Sequence, residues 1–194
     1  MNKFSLTLWQ PKHIVMRKLS NNELNRVSVE QFKNSKKIPL TIILDNIRSL
    51  SNVGSVFRTA DAFIIKEIIL CGITAKPPHR EIHKTALGAT ESVDWRYFEH
   101  TIDAVKELQK DNVKVFAIEQ ADEAEMLDNF EFKFDQHIAL ILGNEVKGVQ
   151  QEVVSLADSC IEIPQFGTKH SLNISITAGI VIWEVFQQFQ KNLT

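Results

Sequence analysis

In the segment Leu44-Asp45-Asn46-Ile47-Arg48-Ser49-Leu50-Ser51-Asn52-Val53-Gly54-Ser55-Val56-Phe57-Arg58-Thr59-Ala60-Asp61-Ala62-Phe63, a strand hands over to a helix and leaves polar groups at the junction. The apolar run Thr41 to Leu44 predicts a buried strand. Val53, Val56, Phe57, Ala60, Phe63 and Ile64 then recur at helical spacing and give one apolar face. Asn52, Gly54 and Arg58 are not needed by that face. In open α/β sheets, ligands collect beyond the carboxyl ends of strands, where loops and helix N-termini offer polar groups. Asn52 and Arg58 are therefore candidate functional residues.

The same alternation runs outward from this segment. Strand-like runs at 41–45, 67–71, 113–118, 137–142 and 159–163 are separated by helical patterns at 53–64, 101–111, 148–157 and 173–190. The expected fold is α/β, a mostly parallel sheet with helices on both faces. Ahead of it, Leu19, Leu24, Val27 and Phe32 among polar residues, with Ser20 or Asn21 as the cap, predict a short helix within 19–32. The chain divides into a basic N-terminal extension with that helix (1–39), whose residues 1–15 read as loose, and an α/β domain (40–194). The acidic stretch Glu119 to Asp135 reads as solvated surface.

At 194 residues, with 44% hydrophobic and 24% charged residues, the chain has the composition of one globular domain. Its formal net charge of −2 is unevenly spread, because residues 1–40 carry eight Lys or Arg against two Glu. That asymmetry suits an arm lying against an anion such as RNA phosphate, and equally a solvated basic helix face. Cys71 and Cys160 lie beside apolar residues without metal-like spacing, which predicts reduced thiols in a cytoplasmic protein. No run reaches the ~20 apolar residues of a membrane span. Neither G-x-G-x-x-G nor G-x-x-x-x-G-K-[ST] occurs, so an ordinary dinucleotide fold and a P-loop are both unsupported.

Two further segments carry chemistry. In Ile138-Ala139-Leu140-Ile141-Leu142-Gly143-Asn144-Glu145-Val146-Lys147-Gly148-Val149, five apolar residues predict a buried strand, Gly143 and Asn144 permit a sharp turn, and Glu145 is left at the sheet edge beside a helix start. By itself this is equally a strand, a turn and an acid favoured by a helix dipole. In the segment from Ile161 to Ile180, a strand stops at Pro164, a polar loop follows, and Ser171 or Asn173 can cap a long, nearly all-apolar helix. A helix so apolar must be covered on several sides, by its own sheet and by another subunit.

Taken in this order, the three segments resemble the signature motifs of the SpoU/TrmH-like RNA ribose 2′-O-methyltransferases of the SPOUT superfamily. Asn52-x-Gly54-x-x-x-Arg58-Thr59-Ala60 matches the first motif, Leu142-Gly143-Asn144-Glu145-x-x-Gly148 the second, and Ile163-Pro164 with Ser171-Leu172-Asn173-x-Ser175 the third. The likeness spans about residues 40–190. It implies a C-terminal deep trefoil knot, S-adenosyl-L-methionine as methyl donor, and a homodimer paired through the C-terminal helix. It also implies that Gly143, Ile163 and Leu172 contact the donor through their backbones, with Leu142, Gln165 and Phe166 lining its pocket. Many relatives carry Met where Gln165 stands.

The resemblance assigns Arg58, Asn52, Glu145, Ser171 and Asn173 to catalysis. A ribose hydroxyl is a poor nucleophile at neutral pH, so its proton must be removed or polarised while the methyl lies in line. Guanidinium stays protonated in proteins, which assigns Arg58 to holding phosphate and stabilising the oxyanion, the other four orienting it and the ribose. Arg48, Arg80, Lys84 and Lys169, in loops after strands, are candidate RNA contacts, although isolated surface charges are the commoner explanation of such residues. His79 and His83 lack a third ligand, so no metal is expected. The expected activity is 2′-O-methylation of a structured RNA, tRNA ahead of rRNA, in the cytoplasm. A catalytically silent RNA-binding dimer of the same fold is the alternative.

Overall fold

Apolar strands with little alternation can be buried only if both faces of their sheet are covered, and the chain arranges this with helical crossovers. The computed structural model describes residues 16–133 and 135–191, so the expected loose extension 1–15 lies outside the described residues. After a 3-10 turn (Asn21–Leu24), the elements run α1 (Val29–Asn34), β1 (Ile38–Asp45), α2 (Leu50–Ala62), β2 (Ile65–Cys71), α3 (Arg80–Ala86), α4 (Ala89–Ser92) and β3 (Asp94–Phe98). They continue with α5 (Thr101–Lys110), β4 (Lys114–Ile118), β5 (Glu125–Met126), β6 (Ile138–Leu142), α6 (Gln151–Leu156), β7 (Ser159–Glu162) and α7 (Ile174–Lys191).

The seven strands form one sheet in the order β3-β2-β1-β6-β4-β7-β5, and every ladder in it is parallel. Parallel crossovers are right-handed, so the direction of travel along the sheet fixes the face. From β1 to β2 to β3 the chain moves one way and lays α2, α3 and α4 on one face. From β3 to β4 and from β6 to β7 it moves the other way and lays α5 and α6 on the opposite face. After β7, α7 returns to the first face and packs on α2 and β6.

Strand alternation serves both layers. Leu40, Ile42, Leu44, Ile68, Leu70, Leu140 and Leu142 pack under α2 and α7, while Ile43, Ile69, Ala117, Ala139 and Ile141 pack under α5 and α6. The parallel α/β expectation holds, as do all five predicted strands and, within a few residues at their ends, the four long helical patterns.

Two expectations need correction, and three elements had gone unread. The short helix of 19–32 is a 3-10 turn and α1, separated at Asn25, which adopts left-handed φ 47°, with Ser28 starting α1 as a new cap. The acidic stretch 119–135 is not all surface. Leu127 and Phe132 are buried, Phe116, Phe130 and Phe132 pack edge to face, β5 pairs with β7, and Gln188 of α7 ties both Phe130 O and Phe132 N. Finally, α3, α4 and edge strand β3 had no clear pattern, because only Ile82 and Ala86 of α3 are buried and β3 carries Asp94 and Arg96.

Gly54 marks the closest approach of α2 to α3. A Cβ there would lie 2.1 Å from Thr85 Oγ1 and 2.3 Å from the Ile82 carbonyl oxygen. Thr85 in turn donates to the Ser51 carbonyl at 3.0 Å, so the two helices are bonded as well as packed. Gly54→Ala is therefore expected to cost ~1–3 kcal/mol in urea unfolding, despite the better helix propensity of Ala, because a backbone oxygen has to move. A midpoint equal to or above wild type would contradict this close approach.

Candidate functional site

Beyond the carboxyl end of β6 the chain reverses within six residues. Asn144 and Gly148 exchange backbone hydrogen bonds (Asn144 N to Gly148 O, 3.0 Å; Gly148 N to Asn144 O, 2.9 Å). The Asn144 side-chain oxygen accepts from Val146 N and Lys147 N, and its amide donates to Asn46 O at 2.7 Å. Gly148 has φ +68°, and a Cβ on Gly143 would lie 2.1 Å from Val149 N. Both glycines of this motif are thus demanded by the reversal itself.

The far end of the loop is held by two carboxylates at strand termini. Glu119, just after β4, accepts from Val149 N at 2.9 Å. Asp45, fully buried at the end of β1, accepts from Gln150 N at 3.1 Å, from Gln150 Nε2 at 2.9 Å, from Asn46 Nδ2 and from the Thr101 hydroxyl. A buried charge is tolerable only when hydrogen-bonded this fully.

Glu145, projecting from the same loop, holds the entry to α2, whose N-cap is Ser49. Its carboxylate accepts from Arg48 N (3.1 Å), Ser49 N (3.0 Å) and Asn52 Nδ2 (3.3 Å). The Asn52 oxygen accepts from Asn173 Nδ2 at 3.3 Å, and Asn173 itself caps α7 by accepting from Ser175 N at 2.8 Å. Glu145, Asn52 and Asn173, one from each motif, are therefore joined in a single chain of hydrogen bonds. Burial pushes the Glu145 pKa upward, but the N–H donors of Arg48, Glu145 itself and Ser49, with the Asn52 amide, outweigh it and hold the carboxyl below its ordinary 4.5.

Glu145 opens onto a cavity of about 990 Å³ beyond the ends of β4, β6 and β7, which Asn52 and Asn173 do not line. Leu142, Gly143, Glu145, Ile163, Gln165, Ser171 and Leu172 all line it. Phe166 does not: its side chain is 98% exposed, because the polar loop 164–173 offers it no apolar surface to pack on. Arg58 is also absent from the cavity wall and stands exposed on α2. Six helical residues separate it from Asn52, about 9 Å along the axis and roughly 120° around it. Arg48, Arg80, Lys84 and Lys169 are exposed, Arg48 holding Glu145 through its backbone only.

Residues 39–183 match the family model described as the SpoU rRNA Methylase family. The chain belongs to that family.

Among relatives of this SpoU-family chain is the 23S rRNA (guanosine-2′-O-)-methyltransferase RlmB of Neisseria meningitidis serogroup B, 28% identical over 165 residues, 84% of this chain and 65% of that protein. The tRNA (guanosine(18)-2′-O)-methyltransferase of Thermus thermophilus is 28% identical over 169 residues, 87% of this chain and 85% of that protein. The AdoMet-bound rRNA methyltransferase of Sinorhizobium meliloti superposes with a TM-score of 0.73 at 28% identity, covering 78% of this chain and 57% of that one. The chain thus spans a little under two thirds of the first of these relatives.

Sequence reading missed Asp45 and Glu119 as residues that shape the site, while the sharp turn expected at Gly143 and Asn144 is present. Asp45 and Glu119 are polar residues at or just past the end of an apolar strand, and that position was the available signal. Among the described residues no group of three His, Cys, Asp or Glu could hold a metal ion, and no helix is long and apolar enough to cross a membrane. Cys71 is buried, which pushes its thiol up to about 12 and makes it inert as a nucleophile.

A carboxylate with a lowered pKa stabilises the fold above its unfolded pKa, and that stability is lost as pH falls through the folded value. Glu145→Gln is therefore expected to lower the Tm at neutral pH, with the gap to wild type closing at pH values below 4.5. Thermal unfolding across that range reads it, and a gap independent of pH would contradict this hold of the carboxylate on the entry to α2.

Proposed function

We propose that this chain is an S-adenosyl-L-methionine-dependent methyltransferase acting on the ribose 2′-hydroxyl of a structured RNA. The observation that carries the reading is the hydrogen-bonded chain Glu145–Asn52–Asn173, which ties all three motif segments together and reaches the wall of a large cavity through Glu145. Relatives named as 2′-O-methyltransferases and an AdoMet-bound neighbour support it.

The cavity suits the donor chemically. S-adenosylmethionine carries a sulfonium, an ammonium and a carboxylate, net +1, and the wall carries Glu119, Asp122, Glu145 and Glu162 against Lys147. Ile118, Leu142, Ile163 and Leu172 supply apolar surface for an adenine ring, and the backbones of Gly143, Ile163 and Leu172 supply its hydrogen bonds. When bound, the donor contributes an electrophilic methyl group. The protein's part is to place the ribose oxygen in line with it. Asn52, Glu145, Ser171 and Asn173 orient the ribose, and Arg58, always protonated, holds an RNA phosphate and stabilises the developing oxyanion.

Since Arg58 is exposed and does not line its own cavity, we place it in the cavity of a second subunit. The homodimer this requires pairs through α7, whose Ile176 (55% exposed) and Trp183 (47%) present apolar surface outward. We further propose that the segment from β6 to α7 is the knotted part of the chain, since β6 and β7 enter the sheet on either side of β4. Transfer RNA in the cytoplasm is the preferred substrate, on the strength of the basic residues 1–40.

Tritium transfer from labelled S-adenosylmethionine to tRNA, and separately to rRNA, tests the reading, with label in neither RNA overturning it. Arg58→Ala is expected to reduce transfer by roughly 10²–10³-fold while donor binding in equilibrium dialysis is unchanged. Mixing Arg58→Ala with Asn173→Ala protein is expected to restore activity in mixed dimers. Failure of the two to complement would place Arg58 in its own subunit's site.

A further inference from the structure

A second cavity, about 490 Å³, lies along the outer side of α3, and it shares no lining residue with the larger one. Ser51 and Gly54 of α2 meet α3, whereas Asn52 and Phe63, on another side of the helix, meet α7, so this cavity is set apart from the proposed dimer face. Pro77, Pro78 and Trp95 give it apolar walls. His79, Arg80 and Glu91 supply its polar edge. The Arg80 guanidinium and the Glu91 carboxylate have no hydrogen-bonding or ionic partner among the described residues. His79 Nδ1 accepts from Glu81 N at 3.2 Å, so in the neutral ring the proton sits on Nε2, a donor not used by that cap.

An indole face, an acceptor-only carboxylate and two cationic or donor groups in one cavity of this size match the parts of a nucleotide. Unpaired bases stack on aromatic rings and are read along their Watson–Crick edges. A carboxylate reads guanine best, since that edge alone offers two adjacent N–H donors, at N1 and N2, to its two oxygens. Arg80 and the His79 Nε2–H are suited to the phosphate.

We propose that this cavity binds an unpaired guanine nucleotide of the RNA substrate, as a recognition site separate from the methyl-transfer cavity. The inference rests on the RNA reading above for the source of the nucleotide. Its first test is independent of that reading. In protein labelled at the indole nitrogens, the Trp95 resonance, assigned with Trp95→Phe, is followed during titration with GMP and with AMP. GMP is expected to shift it with at least tenfold higher affinity than AMP. Glu91→Gln is expected to abolish that preference, and Arg80→Ala to weaken both nucleotides. No Trp95 shift, or equal affinities, overturns the pocket whether or not the protein methylates RNA.

The second test uses methyl transfer. Glu91→Gln and Arg80→Ala are expected to raise KM for RNA five- to tenfold with kcat and donor binding unchanged. Unaltered RNA kinetics in variants that have lost GMP binding would mean that the cavity takes a free nucleotide, and would overturn its assignment to the substrate. A wild-type protein that transfers no methyl group would sink the methyltransferase reading alone, leaving the titration to decide the pocket.

Discussion

One carboxylate at one helix N-terminus organises the site. The first turn of α2 is capped by Ser49, whose side chain accepts from Asn52 N, and Glu145, 96 residues beyond Ser49, holds the chain leading into that turn by accepting from the N–H groups of Arg48 and Ser49. The helix dipole favours the negative charge there, and the N–H donors hold the group ionised despite partial burial. Because Glu145 also binds Asn52, and Asn52 binds Asn173, the loop after β6, the start of α2 and the start of α7 are fixed with respect to each other. The cavity wall follows from that arrangement.

The rest of the architecture keeps the loop in position to deliver Glu145. Asp45 and Glu119, at the ends of two strands on either side of β6, grip the loop's far end through Val149 and Gln150. Gly143 and Gly148 remove the side chains that would block the reversal. The motif glycines and Asn144 therefore act on shape, while the chemistry is left to side chains that face the cavity. Gly54 belongs with them, since it allows α3 to lie against the same helix whose entry Glu145 holds.

Much of this was legible in the residues. Strands β1 and β6, with the ends of β2 and β4, are nearly continuous apolar runs, and such runs announce a parallel sheet covered on both sides. The three polar segments stood out because their Asn, Glu and Arg residues were unnecessary to any apolar face. Less legible were β3, whose Asp94 and Arg96 suit an exposed edge, and α3, which buries only Ile82 and Ala86. The acidic stretch misled for the opposite reason. Its charges hid Leu127, Phe130 and Phe132, whose burial depends on Phe116 and Gln188 from elsewhere in the chain.

By itself the sequence determined the α/β class, the places where strands yield to polar loops, and the candidate residues, because each of these depends on local periodicity and residue chemistry. Which candidates meet was a matter of tertiary structure alone. The joining of Glu145 to Asn52 and Asn173, the absence of Phe166 and Arg58 from the cavity wall, and the second cavity beside Trp95 all arise from the order in which strands insert into the sheet. Insertion order is set by long-range packing of both faces, and no spacing along the chain encodes it.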